Sequence, residues 1–177
     1  MDTLTINNDK NLYSVDHLPL ITVYDDNWFL RNDYDVLSPG QRNYLASFFK
    51  QNNFVTKTGK TMSDGRYTVH FPRPQSNLAI SAYDAKFIES PQRDIYCLTP
   101  TQFAEALFYF GINETGEENI VDNVKALIEK CPYNIEWLRD ISYRTPIEQV
   151  TIETFNELMA YQKQIIENKF KKKKALK

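Results

Sequence analysis

Thr99-Pro100-Thr101-Gln102-Phe103-Ala104-Glu105-Ala106-Leu107-Phe108-Tyr109-Phe110-Gly111 is the stretch at which the chain changes character. Thr99 is a residue type that caps free N–H groups at a helix start. Pro100 suits the first turn, and Gln102 stands where a side chain can reach back to the cap. Phe103, Ala106, Leu107 and Phe110 recur at helical spacing, and Gly111 suits a C-cap. Downstream, Ile120, Val121, Val124, Leu127, Ile128 and Cys131 mark a second helix. Cys131-Pro132 stops it, because a residue before proline avoids the helical region. Ile135, Trp137, Leu138 and Ile141 make a short third helix, and Thr145-Pro146 breaks the chain again. A fourth helix is predicted from about Thr151 to beyond Phe170, with a stripe of Ile152, Phe155, Leu158, Met159, Ile165, Ile166 and Phe170.

Upstream the pattern is that of strands. Residues 1–18 are polar and read as a loose arm. Leu20-Ile21-Thr22-Val23-Tyr24 is β-branched and aromatic, Asp25-Asp26-Asn27 is turn chemistry, and Trp28-Phe29-Leu30-Arg31 reads as the returning strand of a hairpin. Ser38-Pro39 opens a helix carrying Tyr44, Leu45, Phe48 and Phe49 on one face, ended by Asn52-Asn53. Phe54-Val55-Thr56, Arg66–Phe71 and Leu78–Tyr83 read as strands. Gly59 and Asp64-Gly65 lie in the loop between the first two, and Pro72-Arg73-Pro74 forms another loop. Ser90-Pro91-Gln92-Arg93 reads as the linker between the halves. The predicted class is α+β. Residues 1–94 hold a small, mostly antiparallel sheet with one helix, and residues 95–177 hold a three- to four-helix module with a basic tail.

Composition bounds the rest. A chain of 177 residues, 42% hydrophobic and 25% charged, can bury a core without disulfides or metals. Five glycines are too few for a turn-rich barrel or sandwich. Cys97 and Cys131 belong to no CxxC pair and read as reduced, buried thiols. The first residues carry neither a basic n-region nor an apolar h-region, and no apolar run approaches the ~20 residues that span a bilayer. The chain is therefore expected to be neither secreted nor membrane-spanning, with no membrane partner. The net charge of −2 hides segregation: −5 over residues 1–37, +4 over 38–94, −7 over 95–159 and +6 over 160–177. Alternating blocks suggest electrostatic complementarity within the fold or between copies, not a uniformly basic nucleic-acid binder.

The residues Thr99, Pro100, Gln102, Leu107, Gly111, Val124, Ile128, Ile135-Glu136-Trp137, Arg144 and Pro146 stand in the order of a short helical module. The stretch resembles a module of small tail-region proteins of tailed bacteriophages and prophages. It covers 48 residues, 99–146, and the Ile-Glu-Trp segment followed by Arg is its least generic part. The spacer Asn113-Glu114-Thr115-Gly116 is longer than that pattern, and the last helix is longer and ends in lysines. The resemblance implies a module for protein–protein contact and supplies no catalytic residues.

Several constellations invite a chemical reading. Asp25, Asp26, Asp33 and Asp35 cluster, but lack the loop glycine and final glutamate of an EF-hand, so solvated turn residues are preferred. Asp64 followed by Asp84-Ala85-Lys86 resembles the Asp…Asp-x-Lys arrangement of metal-dependent nucleases, in which carboxylates hold a divalent ion and a lysine serves the attacking water. Asp64-Gly65 is also ordinary turn chemistry. His17 and His70 find no ligand partners. Lys169, Lys171, Lys172, Lys173 and Lys174 could contact phosphate, although a solubilising tail that suits a helix C-terminus is preferred. Tyr24, Trp28, Phe29 and Tyr34 make either a partner-contact patch or the inner face of a sheet, with core preferred; Trp137 and Arg144 are further contact candidates. The expectation is a non-enzymatic phage virion or tail-assembly accessory protein with no cofactor. Its partners would be other phage structural or assembly proteins, or further copies of itself. The alternative is a phage-encoded nucleic-acid-binding protein or metal-dependent nuclease.

Overall fold

The computed structural model describes residues 3–16, 18–24, 37–71, 93–112 and 117–170. In chain order the elements are α1 (Thr3–Asn7), β1 (Leu12–Tyr13), β2 (Leu20–Val23), α2 (Pro39–Gln51), β3 (Val55–Thr58), β4 (Thr61–Ser63), β5 (Thr68–His70) and β6 (Asp94–Leu98). There follow α3 (Pro100–Phe110), α4 (Glu117–Lys130), α5 (Ile135–Ile141), α6 (Glu148–Glu153) and α7 (Phe155–Ile165), which runs into a π-helical turn, Ile166–Phe170. The class is α+β, as the sequence predicts.

The six strands form one mixed sheet in the order β1-β2-β6-β5-β4-β3. β6 lies parallel to both its neighbours, with Ile21 opposite Cys97 on one side and Val69 opposite Ile95 on the other. The other three pairings are antiparallel. Asp94–Leu98, to which the sequence reading gave no element, is thus a central strand, and the boundary expected at 94/95 falls at its first residue. A strand covered on both faces shows no polar alternation, so its pattern is silent. Leu12-Tyr13 likewise leaves the supposed loose arm and joins the sheet edge, with Leu12 fully buried. The hairpin expected between Leu20–Tyr24 and Trp28–Arg31 is corrected at β2, whose two flanks are taken by β1 and β6; Trp28–Arg31 lie outside the described residues, as do Leu78–Tyr83.

Successive side chains of a strand point to opposite faces, and here each face has its own core. Ile21, Val23, Met62, Val69, Ile95 and Cys97 pack beneath α1 and α2 with Ile6, Leu45 and Phe49. Leu20 and Leu98 pack against the C-terminal helices through Phe103, Leu107, Val124, Leu127 and Leu158. The molecule is therefore three layers, with the sheet in the middle. Both predicted helix starts are closed capping boxes. Gln41 N–H donates to Ser38 Oγ over 3.1 Å and Ser38 N–H to Gln41 Oε1 over 2.8 Å; the Thr99–Gln102 pair repeats this at 3.2 and 3.1 Å. Helix α3 is buried from Pro100 through Phe108, as befits a helix apolar nearly all round.

Two corrections concern helix ends. Gly111 is right-handed, at φ −61°, and so is not a left-handed cap. Its lack of a side chain serves close packing: a Cβ there would stand 2.1 Å from Ile120 Cγ1. The fourth helix is two helices, divided at Thr154, whose hydroxyl donates back to the Val150 carbonyl over 2.7 Å. Ile152, expected in the buried stripe, is consequently 55% exposed.

Three contacts brace the helical layer and tie it to the rest of the molecule. Buried Gln162 on α7 accepts from Tyr133 N–H at 3.0 Å and donates to the Tyr133 carbonyl at 2.8 Å, fixing the α4–α5 connection. Lys130 at the end of α4 donates to the carbonyls of Asn7, Asp9 and Leu12 and so pins the N-terminal arm. Phe170 is buried with its ring 4.5 Å from that of Tyr24, just past β2. The turn after α7 therefore returns to the end of β2.

Candidate protein-contact surface

The corner between α5 and α6 is built from local hydrogen bonds. Asn134 caps α5 by accepting from Trp137 N–H at 2.9 Å, and its own N–H donates to Thr101 Oγ1 on α3 at 3.1 Å. After α5 the chain turns at Arg144, whose φ of 61° is left-handed and unusual for a residue with a long side chain. Arg144 N–H donates to Glu148 Oε2 at 2.8 Å, and Ser142 and Thr151 share a buried hydroxyl–hydroxyl bond of 2.7 Å. This framework holds the residues one step beyond each hydroxyl outward. Tyr143 is 63% exposed and Ile152 55%. The Arg144 guanidinium lies 5.1 Å from the Tyr143 ring centre, and that of Arg139 lies 4.3 Å from the Phe155 ring centre while binding Asp140. Aromatic rings, arginines and an exposed isoleucine are the residue types that anchor protein interfaces. The dent between Phe108, Leu138, Thr151 and Leu158 leaves no room for a water molecule, so the corner offers a face and not a binding pocket.

Tyr24 is 3% exposed and belongs to the core, the preferred of its two readings. Trp28, Phe29, Tyr34, the four clustered aspartates and His17 lie outside the described residues. Trp137 is half-buried at the start of α5. Lys169 is paired with Glu129 at 2.8 Å instead of standing ready for phosphate; Lys171, Lys172, Lys173 and Lys174 are outside the described residues. Asp64 Oδ1 accepts from Arg66 N–H at 2.8 Å and Tyr67 N–H at 2.7 Å, so it closes the β4–β5 turn. Burial pushes its carboxyl up, but the hydrogen bonds from the Tyr67 and Arg66 N–H groups together outweigh it and hold the carboxyl below its ordinary value. Asp84 and Lys86 are not among the described residues. Within those residues no three His, Cys, Asp or Glu side chains converge as a metal site, and no helix is long and apolar enough to cross a membrane.

One cluster escaped the sequence reading. On β5 and β6, His70 Nε2 lies 2.9 Å from Asp94 Oδ1, and the His70 ring stacks on Tyr96 at 4.9 Å. The pair could have been found only by recognising Asp94–Leu98 as a strand parallel to Thr68–His70. Cys97 and Cys131 are both free and buried, and burial pushes the Cys97 thiol up, which suits packing and not nucleophilic chemistry.

Fold and surface together define a three-layer α+β protein with an exposed aromatic and arginine corner. No family model, curated protein or solved structure matches the chain.

Proposed function

We propose that this protein acts through protein–protein contact, as an assembly accessory of the phage tail-region kind that residues 99–146 resemble, and that the α5–α6 corner is its contact face. The observation that carries the reading is Arg144. A left-handed backbone at a non-glycine residue costs about 1–3 kcal/mol and persists only where its surroundings enforce it. Here the enforcement sets the guanidinium beside exposed Tyr143, within reach of solvent. Glu136, Asp140 and Glu153 are exposed on the same two helices and give the face a partly acidic rim. Tyr143 and Ile152 are the expected anchors.

The test is light scattering after size exclusion, with the full chain alone and mixed with each tail component encoded beside it. The Tyr143→Ala/Ile152→Ser variant should lose the mixed complex at least tenfold in affinity while keeping its own melting temperature, because both side chains are largely exposed. A wild-type chain that stays monomeric with every such component, or a variant that binds as well as wild type, counts against the reading.

A further inference from the structure

We propose that the β3–β4 hairpin, with the last turn of α2, is a sequence-independent contact surface for duplex DNA. The basis is the contrast between two sets of cations. In the helical layer most positive charges have partners: Lys125 with Glu157, Arg139 with Asp140, Lys169 with Glu129 and Lys130 with three carbonyls, while Arg144 and Lys163 are exposed there but stand apart, in the α5–α6 connection and on α7. Lys50, Lys57, Lys60 and Arg66 are all exposed, and among the described residues none of them forms an ion pair. The four lie within seventeen residues, at the end of α2, along β3, in the turn at Gly59-Lys60 and after β4. Asp64 is the one carboxylate between Lys50 and Arg66, and its Oδ1 is engaged by its own turn.

Shape points the same way. All four residues of β3 are exposed, so this sheet edge stands clear of the covering helices on both faces. The tip is braced: Arg42 on α2 donates to the Gly59 carbonyl at 3.3 Å, and Thr58 and Thr61 share a hydroxyl bond of 2.9 Å. An exposed edge strand with a braced basic turn can lie along a duplex, with its lysines reaching backbone phosphates. The acidic helical layer lies on the other face of the molecule's sheet from α2, so a polyanion is steered to the hairpin end. A second copy of the chain is the weaker occupant, because the exposed side chains of the hairpin are threonine and lysine, types that contact phosphates, with Val55 its one large exposed apolar residue and no aromatic anchor.

The experiment is fluorescence anisotropy of a labelled random-sequence 20-base-pair duplex with the full chain, from 50 to 200 mM salt. Three to four phosphate contacts give a slope of log affinity against log salt of about −3, or roughly a 60-fold loss across that range. Lys57→Glu/Lys60→Glu should weaken binding at least tenfold and flatten the slope; the milder Lys57→Gln/Lys60→Gln does so without adding acid. Changing Lys171, Lys172, Lys173 and Lys174 to Gln should leave the slope in place. The proposal is overturned if the wild-type chain does not bind at 50 mM salt or if the hairpin variants keep the wild-type slope. It is equally overturned if the tail variant abolishes binding, or if the hairpin variants change the chain's own assembly size, which would assign the hairpin to a second copy.

Discussion

Gly111 shows how a residue can be read correctly as special and wrongly as to why. Sequence position marks it as the end of a helix, and the usual use of glycine there is a left-handed cap. Its backbone is instead right-handed, and the reason for glycine lies across the layer, where Ile120 on α4 fills the place of a side chain. No local pattern reports a contact with a residue nine positions on. Gly111→Ala should therefore destabilise by overpacking, about 1–3 kcal/mol. At this chain length each kcal/mol lowers the melting temperature by about 2–4 °C. Paired with Ile120→Ala, the loss should be at least ~1 kcal/mol smaller than the sum of the two single variants. Additive single losses in urea titrations would show that the clash is not the cause. Thr99 and Gln102, by contrast, were fully legible, because a capping box is a local device and all of its atoms lie within four residues.

Elements were legible where one face is buried and the other wet. Helix α2 begins and ends as its caps indicate, and α4 stops before Pro132. β6 was not legible, since both its faces are covered, and the break at Thr154 was not, since no proline or glycine marks it. The junction of α4 and α7 has a pH dependence of its own. Glu129 accepts from Lys169 Nζ at 2.8 Å and from the Tyr161 hydroxyl at 2.6 Å, and these bonds, Lys169 first, hold its carboxyl below the ordinary value of 4.5. A carboxyl with a depressed folded pKa binds protons less readily than in the unfolded chain. It therefore stabilises the fold fully above about pH 4.5, and the contribution is lost as pH falls through the depressed value. The stability difference between wild type and Glu129→Gln should be constant from pH 6 to 8 and shrink towards zero on acidification. The size should be modest, because the Glu129 and Lys169 side chains are 37% and 48% exposed. A difference that grows on acidification contradicts the assignment.

At the scale of the whole molecule, the segregation of charge read from the sequence acquires a structural meaning. The acidic block is the helical layer on one face of the sheet, and the basic block includes the hairpin at its far edge. The proposed protein-contact corner and the proposed DNA-contact hairpin sit on different layers, so each can be lost without the other. What joins these layers is β6, whose Ile95 and Cys97 enter one core while Leu98 enters the other, and whose backbone bonds both β2 and β5. The corner and the hairpin belong to one rigid body only if this strand holds the two layers together. Residue-resolved amide hydrogen exchange of the full chain tests that directly. The amides of Ile95, Cys97 and Leu98 should exchange in the slowest class, together with those of β2 and α3. Exchange at 95–98 on the fast timescale of a linker, with residues before and after protected to different extents, would contradict the account.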